Sequence, residues 1–436
     1  METRLREMLE WLFAAEVPAA IDAKSRELLL DTCGCVLASS TKPPLQRLSG
    51  RLAGTDRGAV RVPGFAGSLS TASAATLFAT AACWDEACEG LARAHGRPGV
   101  PVIAALAALA QARDATLAEV VAALVSGYEV GGRLGEVLRI APGMHVDGTW
   151  PAFGVAAAAV RFAGGGPDEA LTAVRIAACQ MPYSLYLPAA HGAEARNTYL
   201  AHSAQLGLLA ANAALAGFSA PAGALDELRT RALGAPPGAA ALAPAGAWLM
   251  SEGYLKPYAA VRHVHYGVAA ALALRPQLER RLDRIDRIGL ATYPEALTYC
   301  ANRAPQRPIQ AQFSLSYGVA RAMVAGDLGP DAYTEEALGD PLVRSLESRV
   351  ALLEDETLGR SGRRGATLAV EIGRERLAHT VDRVAGDPSL PMARDEVIAK
   401  FARYARRAPD AATRFLDAPA GRRFAELLAA LDASPP

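Results

Sequence analysis

Histidine and carboxylate side chains that could transfer protons stand close together between residues 84 and 98. His95 lies in ARAHGRPGVPV and follows Asp85, Glu86 and Glu89, which belong to the stretch WDEACEG. Pro98 suits the first turn of a helix, so we expect His95 near a helix N-terminus, where backbone N–H groups favour anions. A histidine beside a carboxylate cluster indicates acid/base chemistry, and the alternative is an ordinary solvated loop.

A second histidine, His145, stands in a similar position within APGMHVDGTWPAFG. This loop is rich in Gly and Pro and precedes an apolar helix, which we expect Asp147 or Thr149 to cap. Two histidines that each precede a buried helix form a repeated arrangement. It predicts a pocket for a polyanionic substrate.

The third loop, YLKPYAAVRHVHYG, holds Lys256, Arg262, His263 and His265 within ten residues. Only four of the 45 basic residues are lysine, and arginine cannot reproduce the compact ammonium group. The loop stands where a helical sequence gives way to a mixed one, and pockets favour such junctions. Arg196, in RNTYLAH, is a further cation at a helix start. The alternative for these cations is a basic, solvated loop.

Other kinds of site lack their sequence signatures. The chain has no G-x-G-x-x-G after a strand, no P-loop and no G-x-S-x-G elbow. Its six cysteines show no C-x-x-C spacing, and its histidines show no H-x-x-x-H spacing. The two histidines of the H-x-H stretch point in different directions on a helix. The sequence therefore predicts no metal site.

The elements that must position these residues are helices over about the first 250 residues. Ala, Leu and Val recur at helical spacing, and several segments are apolar nearly all round, which is typical of helices inside a large bundle. The predicted helices occupy residues 22–39, 99–113, 116–137, 148–164, 167–181 and 198–216.

The pattern changes after about residue 275. Alternating, β-branched segments predict strands, and helical segments lie between them. The predicted strands are 284–293, 348–355, 365–373 and 376–384, and the predicted helices are 313–326 and 335–347. We predict a mainly α protein with a large all-helical domain (1–254), a smaller inserted α+β lid domain (255–393), and helices that return to the helical domain (394–436).

Composition narrows the class of partner. Of 436 residues, 51% are hydrophobic and 21% are charged, and Lys+Arg and Asp+Glu both number 45. Zero net charge argues against nucleic acid or an anionic membrane as the main partner. The N-terminal METRLREMLEWLF lacks the apolar core of a signal peptide, and no apolar run reaches the roughly 20 residues of a membrane span. We expect a soluble, cytoplasmic protein.

Taken in order along the chain, these stretches resemble the MmgE/PrpD family, which includes 2-methylcitrate dehydratases, cis-aconitate decarboxylases and iminodisuccinate epimerases. The similarity runs through LLLDTCGCVLASS, AHGRPGVPVIAALAALA, HVDGTWPAFGVAAAAVRFAG, RNTYLAHSAQLGLLAANAALAGFSAP, KPYAAVRHVHYGVAAALAL and GDPSLPMARDEVIAKFARYA. The resemblance covers nearly the whole chain. It implies a helical body, a smaller α+β lid, a homodimer, and no metal or organic cofactor.

Matched position by position, the resemblance also implies which residues form the site. Asp85 falls where the family has an acidic residue ten positions before its first active histidine. Glu89 departs from the hydroxyl residue of related decarboxylases, and Arg196 departs from their lysine. The candidate catalytic residues are His95, His145, Lys256, Asp85 and Glu89, and the candidate substrate-binding residues are Arg196, Arg262 and His265.

The resemblance implies a small di- or tricarboxylate substrate and chemistry that begins at the carbon next to a carboxylate. Cationic side chains would stabilise the aci-carboxylate, and a histidine would act as base. We expect a cofactor-independent lyase, first of all a 2-methylcitrate dehydratase-like enzyme. The alternatives are an epimerase of an imino- or amino-dicarboxylate, a cis-aconitate decarboxylase-like enzyme, and a catalytically silent, carboxylate-binding paralogue.

Overall fold

The computed structural model describes residues 1–236, 241–361 and 363–433, without the side chains of 359–361. Residues 237–240, 362 and 434–436, which fall within the three predicted domain segments, lie outside the described residues. The fold is mainly α, as predicted. The helices before residue 230 are α1 (Glu2–Ala14), α2 (Ala19–Ser39), α3 (Pro43–Thr55), α4 (Thr71–Cys83), α5 (Gly99–Arg113), α6 (Leu117–Val137), α7 (Pro151–Phe162), α8 (Pro167–Cys179), α9 (Leu187–His191), α10 (Tyr199–Leu215) and α11 (Ala224–Glu227).

The six helices predicted in this part are confirmed, and each end lies within three residues of its predicted position. Local signals explain several boundaries. Thr116 and Glu119 form a reciprocal capping box at the start of α6, and Pro98 directly precedes α5. The expected cap of α7 is wrong, since no side chain caps that helix. The Asp147 carboxylate is instead paired with Arg97.

Helices α5, α6 and α7 form the interior of the helical body. Residues 99–108 and Ala110 of α5 are buried, as expected for a helix without a polar face. Helices α6 and α7 approach closely at Gly127 and Gly154, where a Cβ on Gly127 would lie 2.7 Å from the carbonyl oxygen of Gly154. Only glycine permits this approach, because a backbone carbonyl within a helix cannot move aside.

Three short strands precede the mixed α/β region: β1 (Arg57–Val60) and the two-residue strands β2 (Gly90–Leu91) and β3 (Gly253–Tyr254). Its elements are α12 (His265–Leu278), β4 (Arg287–Thr292), α13 (Pro294–Cys300), α14 (Pro308–Gln312), α15 (Leu315–Ala325), α16 (Glu335–Gly339), α17 (Pro341–Ser348), β5 (Val350–Glu354), α18 (Glu356–Ser361), β6 (Ala366–Ile372) and β7 (Glu375–Val381). The four predicted strands are therefore confirmed.

The four strands β4 to β7 form one mixed sheet in the order β5-β4-β6-β7. Strand β5 runs parallel to β4, whereas β6 and β7 are antiparallel neighbours. Alternate residues of β4 are buried, namely Ile288, Leu290 and Thr292, and α12 packs against β6 and β7. The helix predicted at 335–347 is divided, because Asp340 caps a new helix whose first residue is Pro341.

The last helices are α19 (Arg394–Ala405), α20 (Pro409–Leu416) and α21 (Phe424–Ala433), and α19 packs on α2. Lys400 of α19 donates hydrogen bonds to the Asp31 carboxylate of α2 and, at 2.7 Å, to the carbonyl of Ala87. The exact domain boundaries stay predictions. Among the described residues, no helix combines the length and apolar character needed to cross a membrane.

Candidate active site

The two-residue strands β2 and β3 bring two distant loops together. Gly90 pairs with Tyr254 and Leu91 with Gly253 in antiparallel register. A Cβ on Gly90 would lie 2.4 Å from Cζ of the Tyr254 ring, so the pairing requires glycine there. Because Lys256 follows β3 by two residues, this pairing places its side chain against the loop between α4 and α5.

Glu86 forms the centre of a buried cluster of charges in that loop. One carboxylate oxygen accepts a hydrogen bond from Lys256 Nζ at 2.8 Å, and the other pairs with Arg97 at 3.2 Å and closely with Arg196. The backbone carbonyl of Glu86 also accepts from Lys256 Nζ at 2.9 Å. Glu86 has a φ of +53°, a strained value for a residue with a side chain. We interpret this backbone turn as the feature that directs its carboxylate toward the cations.

Asp147 is the second anion of the cluster and lies among the same cations. Arg97 binds it through two nitrogens, and Arg196 Nη2 lies 3.5 Å from its Oδ2. The Arg97 guanidinium lowers the pKa of the Asp147 carboxyl, although burial opposes this decrease. Glu86, Arg97, Asp147, Arg196 and Lys256 are each at most 5% exposed. Three cations thus face two carboxylates, and the positive excess favours one further carboxylate from a ligand.

His145 lies beside this cluster in a defined tautomer. Its Nδ1 accepts a hydrogen bond from the backbone N–H of Asp147 at 3.2 Å. A backbone N–H can only donate, so Nδ1 is unprotonated and the neutral ring carries its proton on Nε2. Burial lowers the pKa of His145 and so favours this neutral form. His145 can therefore donate a hydrogen bond through Nε2.

Lys256 is buried and lines the same cleft. Burial lowers the pKa of its ammonium, and Arg97 and Arg196 add to the decrease. The Glu86 carboxylate at 2.8 Å holds the proton in place. Such an ammonium is a stronger acid than an exposed lysine and can release its proton to a ligand.

His95 is the exposed histidine of the cleft and has no hydrogen bond to its ring in the described part of the chain. Its φ is +53°, so the backbone turns sharply there before α5. Burial and the nearby Arg139 lower the pKa of His95, whereas Glu295 raises it. A neutral imidazole without a hydrogen-bond partner can accept a proton, as a general base must.

These residues line one cleft of about 350 Å³. Arg262, His263 and the Glu295–Arg364 pair, with a 3.4 Å contact, also line it. Arg262 is also paired closely with Asp387 and lies over the Tyr254 ring at 4.9 Å. The structure therefore brings His95, His145, Lys256, Arg196 and Arg262 together, which the sequence could only suggest.

The other three candidate residues lie behind the cleft wall. Asp85 points away toward Lys42, at 3.7 Å. Glu89 accepts hydrogen bonds from the backbone N–H groups of Gly99 and Val100, at 2.8 and 3.2 Å, and so caps α5. His265 lies between the Ala260 carbonyl and Arg262 Nη1, at 3.0 and 3.1 Å. None of the three lines the cleft.

Sequence reasoning missed several residues that the cleft contains. Glu86 belongs to the acidic stretch, but the sequence did not show which carboxylate of that stretch faces the cleft. We attribute the orientation of Glu86 to its φ of +53°, which has no sequence signal. Arg97 and Asp147 lie two residues after His95 and His145, so side chains flanking each histidine were the available signal. Within residues 1–236, 241–361 and 363–433, no three His, Cys, Asp or Glu side chains gather in a way that could hold a metal ion.

Two family models match the chain. The model described as the MmgE/PrpD N-terminal domain matches residues 4–230, and the one described as the MmgE/PrpD C-terminal domain matches residues 258–419. None of the curated proteins matches the chain. The two matched regions meet around the segment that carries β3 and Lys256.

Proposed function

The chain belongs to the MmgE/PrpD family, and from this premise we propose that it is a cofactor-independent lyase for a small di- or tricarboxylate. Family membership supports a lyase-like enzyme that acts on carboxylates in general. The first reaction to test is dehydration of a 2-methylcitrate-like hydroxy acid. One observation carries the proposal: a buried cluster with three cations and two carboxylates lies in a cleft that His95 and His145 also line.

In the proposed dehydration, His95 removes the proton next to a substrate carboxylate. Arg196 and the Nε2–H of His145 hold that carboxylate while it gains aci-carboxylate character. The electron pair of the broken C–H bond forms the C=C bond, and the hydroxyl on the neighbouring carbon departs. Lys256 gives its proton to that hydroxyl, which leaves as water. Solvent then resets the protons of His95 and Lys256.

This division of roles follows from protonation. Neutral His145 already accepts a hydrogen bond at Nδ1, so loss of the Nε2 proton would create an imidazolate. His145 therefore donates without giving up its proton. His95, whose ring has no hydrogen bond in the described chain, is the base. We propose that Asp85, Glu89 and His265 position the cleft residues from behind.

The test is to incubate the purified protein with 2-methylcitrate, citrate and cis-aconitate and to follow double-bond absorbance and product masses. We expect dehydration of a hydroxy acid, and a loss of about 10²-fold or more in turnover for His95→Ala. His379→Ala, which changes an exposed histidine of β7 outside the cleft, is the matched control. An absence of turnover with all three compounds would remove the proposed function.

An epimerase of an imino- or amino-dicarboxylate is the second candidate. It needs two proton-transfer groups on opposite faces of one carbon, and His95 and Lys256 line the same cleft from separate loops. Deuterium from solvent would then enter the substrate without net elimination. A silent, carboxylate-binding protein would instead bind tricarboxylates calorimetrically without turnover.

A further inference from the structure

The cleft contains a third histidine that the proposed mechanism does not use. His263 lies in the short turn between Val261 and α12. Its Nδ1 is 2.6 Å from the hydroxyl oxygen of Tyr293, and its ring stacks on Tyr299 with centroids 5.9 Å apart. Its Nε2 has no hydrogen bond within the described ranges. The ring is thus fixed on two sides and lines the cleft.

The direction of the hydrogen bond follows from the surroundings of Tyr293. This side chain is 3% exposed, and among the described residues its hydroxyl has no hydrogen bond other than that to His263. If His263 donated from Nδ1, the buried phenolic proton would lack an acceptor, which costs about 1–3 kcal/mol. The phenol therefore donates to Nδ1, and the neutral imidazole carries its proton on Nε2.

The charged neighbours support the same protonation state. Burial raises the pKa of the Tyr293 phenol, so its proton remains in place. Burial also lowers the pKa of His263 to about 3, and Arg364, His95 and Lys256 add to this decrease. A positively charged imidazolium would be repelled by the nearby cations, whereas a neutral ring with an N–H donor adds no further charge.

We propose that His263 is a further catalytic residue, whose Nε2–H donates a hydrogen bond to a substrate oxygen that gains negative charge, with Tyr293 as its positioning residue. This inference rests on the proposed function, since that oxygen belongs to the aci-carboxylate or to the departing hydroxyl. A fixed, neutral donor stabilises developing charge without reorganisation during the reaction. Neutral histidine serves in this way in other enzymes.

The tautomer can be measured without any turnover. Protein labelled with ¹⁵N-histidine would be recorded by NMR between pH 6 and 8, and His263→Gln would assign the resonance. We expect the neutral Nε2–H form throughout, and a mixture of tautomers in Tyr293→Phe. A protonated Nδ1, or an imidazolium in this range, would overturn the proposal even if the enzyme is active.

Kinetics separates a catalytic role from a structural one. His263→Gln retains an N–H near the position of Nε2, whereas His263→Asn places its amide near Nδ1. We expect kcat to fall by about 10²-fold in His263→Asn and by much less in His263→Gln, with similar KM values. Equal losses in both variants would overturn the proposal, and so would full activity in His263→Ala.

The two arms distinguish the inference from the function on which it rests. If none of the offered substrates turns over, the proposed function fails, and citrate then serves as a binding probe. Titration of citrate into the labelled protein should shift the Nε2 resonance of His263. An unchanged resonance at saturating citrate, judged by calorimetry, would overturn the donor role. A shift would maintain that role for a carboxylate ligand.

Discussion

Adjacent carboxylates in the loop before α5 have unlike surroundings. Glu86 meets three buried cations, Asp85 meets the partly exposed Lys42, and Glu89 accepts hydrogen bonds from two backbone N–H groups. The same side-chain chemistry therefore serves three purposes within five residues. Backbone direction decides which carboxylate balances the charges of the cleft.

Glu86→Gln should be far more damaging than Asp85→Asn. Removing the Glu86 charge leaves Arg97, Arg196 and Lys256 buried with Asp147 alone, and breaking a buried pair costs about 3–5 kcal/mol. Burial raises the pKa of Asp85 to about 6, and its partner Lys42, at 3.7 Å, is itself 22% exposed. Asp85→Asn therefore leaves no uncompensated buried charge and should cost less than about 1 kcal/mol. Urea unfolding and turnover of both variants measure this difference. Equal losses would show that Glu86 is not the centre of the cluster.

Glu89 should make stability depend on pH. Burial raises the pKa of its carboxyl from 4.5 to about 7. Between these values the folded protein keeps a proton that the unfolded chain releases, so the free energy of unfolding falls as pH rises from 4.5 to 7. The loss amounts to up to about 3 kcal/mol. Glu89→Gln cannot ionise and so avoids this loss. As pH rises from 4.5 to 7, the variant should therefore gain stability relative to the unmodified protein.

Denaturant unfolding at a series of pH values measures this gain. Glu119→Gln is the matched control, because Glu119 also caps a helix but has a lowered pKa, through its hydrogen bonds to Thr116. The difference in free energy of unfolding between Glu119→Gln and the unmodified protein should therefore change with pH in the opposite direction. A constant difference between Glu89→Gln and the unmodified protein from pH 4.5 to 7.5 would contradict the prediction.

At the scale of elements, the crossing of α6 and α7 fixes where the cleft residues lie. Helix α7 follows the His145 loop, and Trp150 packs over Gly135 of α6, where a Cβ would lie 2.6 Å from the ring. The crossing itself depends on Gly127 and Gly154. A shift of either helix would therefore move His145 and Asp147 relative to the cations.

Gly127→Ala and Gly131→Ala form a matched pair one helical turn apart in α6. The new Cβ at 127 would lie 2.7 Å from a backbone carbonyl, whereas at 131 its nearest neighbour is at an ordinary 3.5 Å. We expect Gly127→Ala to lower the free energy of unfolding by about 1–3 kcal/mol. Gly131→Ala should be neutral or stabilising by up to about 1 kcal/mol, because alanine favours helix. Thermal and urea unfolding check the contrast, and a reversed order would refute the close crossing.

The longer helices and strands were predictable from the sequence, whereas the shortest strands were not. Apolar periodicity predicts α5, α6, α7 and α10, and alternation predicts the four strands of the sheet. Strands β2 and β3 have two residues each, too few for any period to show. Yet this pairing sets Lys256 against Glu86. The strained turns at Glu86 and His95 likewise leave no periodic signal.

For the whole molecule, residue type and position in the chain together indicated the site. Lys256 stood out because lysine is scarce in this chain, and His95 and His145 stood out because each lies in a loop before an apolar helix. Arg97 and Glu86 did not, because arginine and glutamate are common and their burial emerges only in the folded structure. Long-range convergence is a property of packing, and only the resemblance to a family could anticipate it.

The C-terminal helices hold the site loop from outside. Lys400 of α19 is buried, pairs with Asp31 of α2 and donates to the carbonyl of Ala87, the residue after Glu86. Lys400→Met should lower the free energy of unfolding by about 3–5 kcal/mol, because Asp31 remains buried without its partner. Asp31→Asn in the same chain removes that unpaired charge, so the double variant should recover most of the stability.

Turnover should not recover with it. The double variant still lacks the donor to Ala87, so the loop that carries Glu86 is no longer held, and a misplacement of about 1 Å can reduce turnover by about 10²-fold. Arg394→Ala, on the same helix, is the control, since Arg394 pairs with Asp417 at 46% and 61% side-chain exposure and should cost less than about 1 kcal/mol. Unfolding and kinetic measurements on the single, double and control variants decide the matter. If stability and turnover recover together, Lys400 supports the fold alone; if stability recovers without turnover, the C-terminal helices position the site.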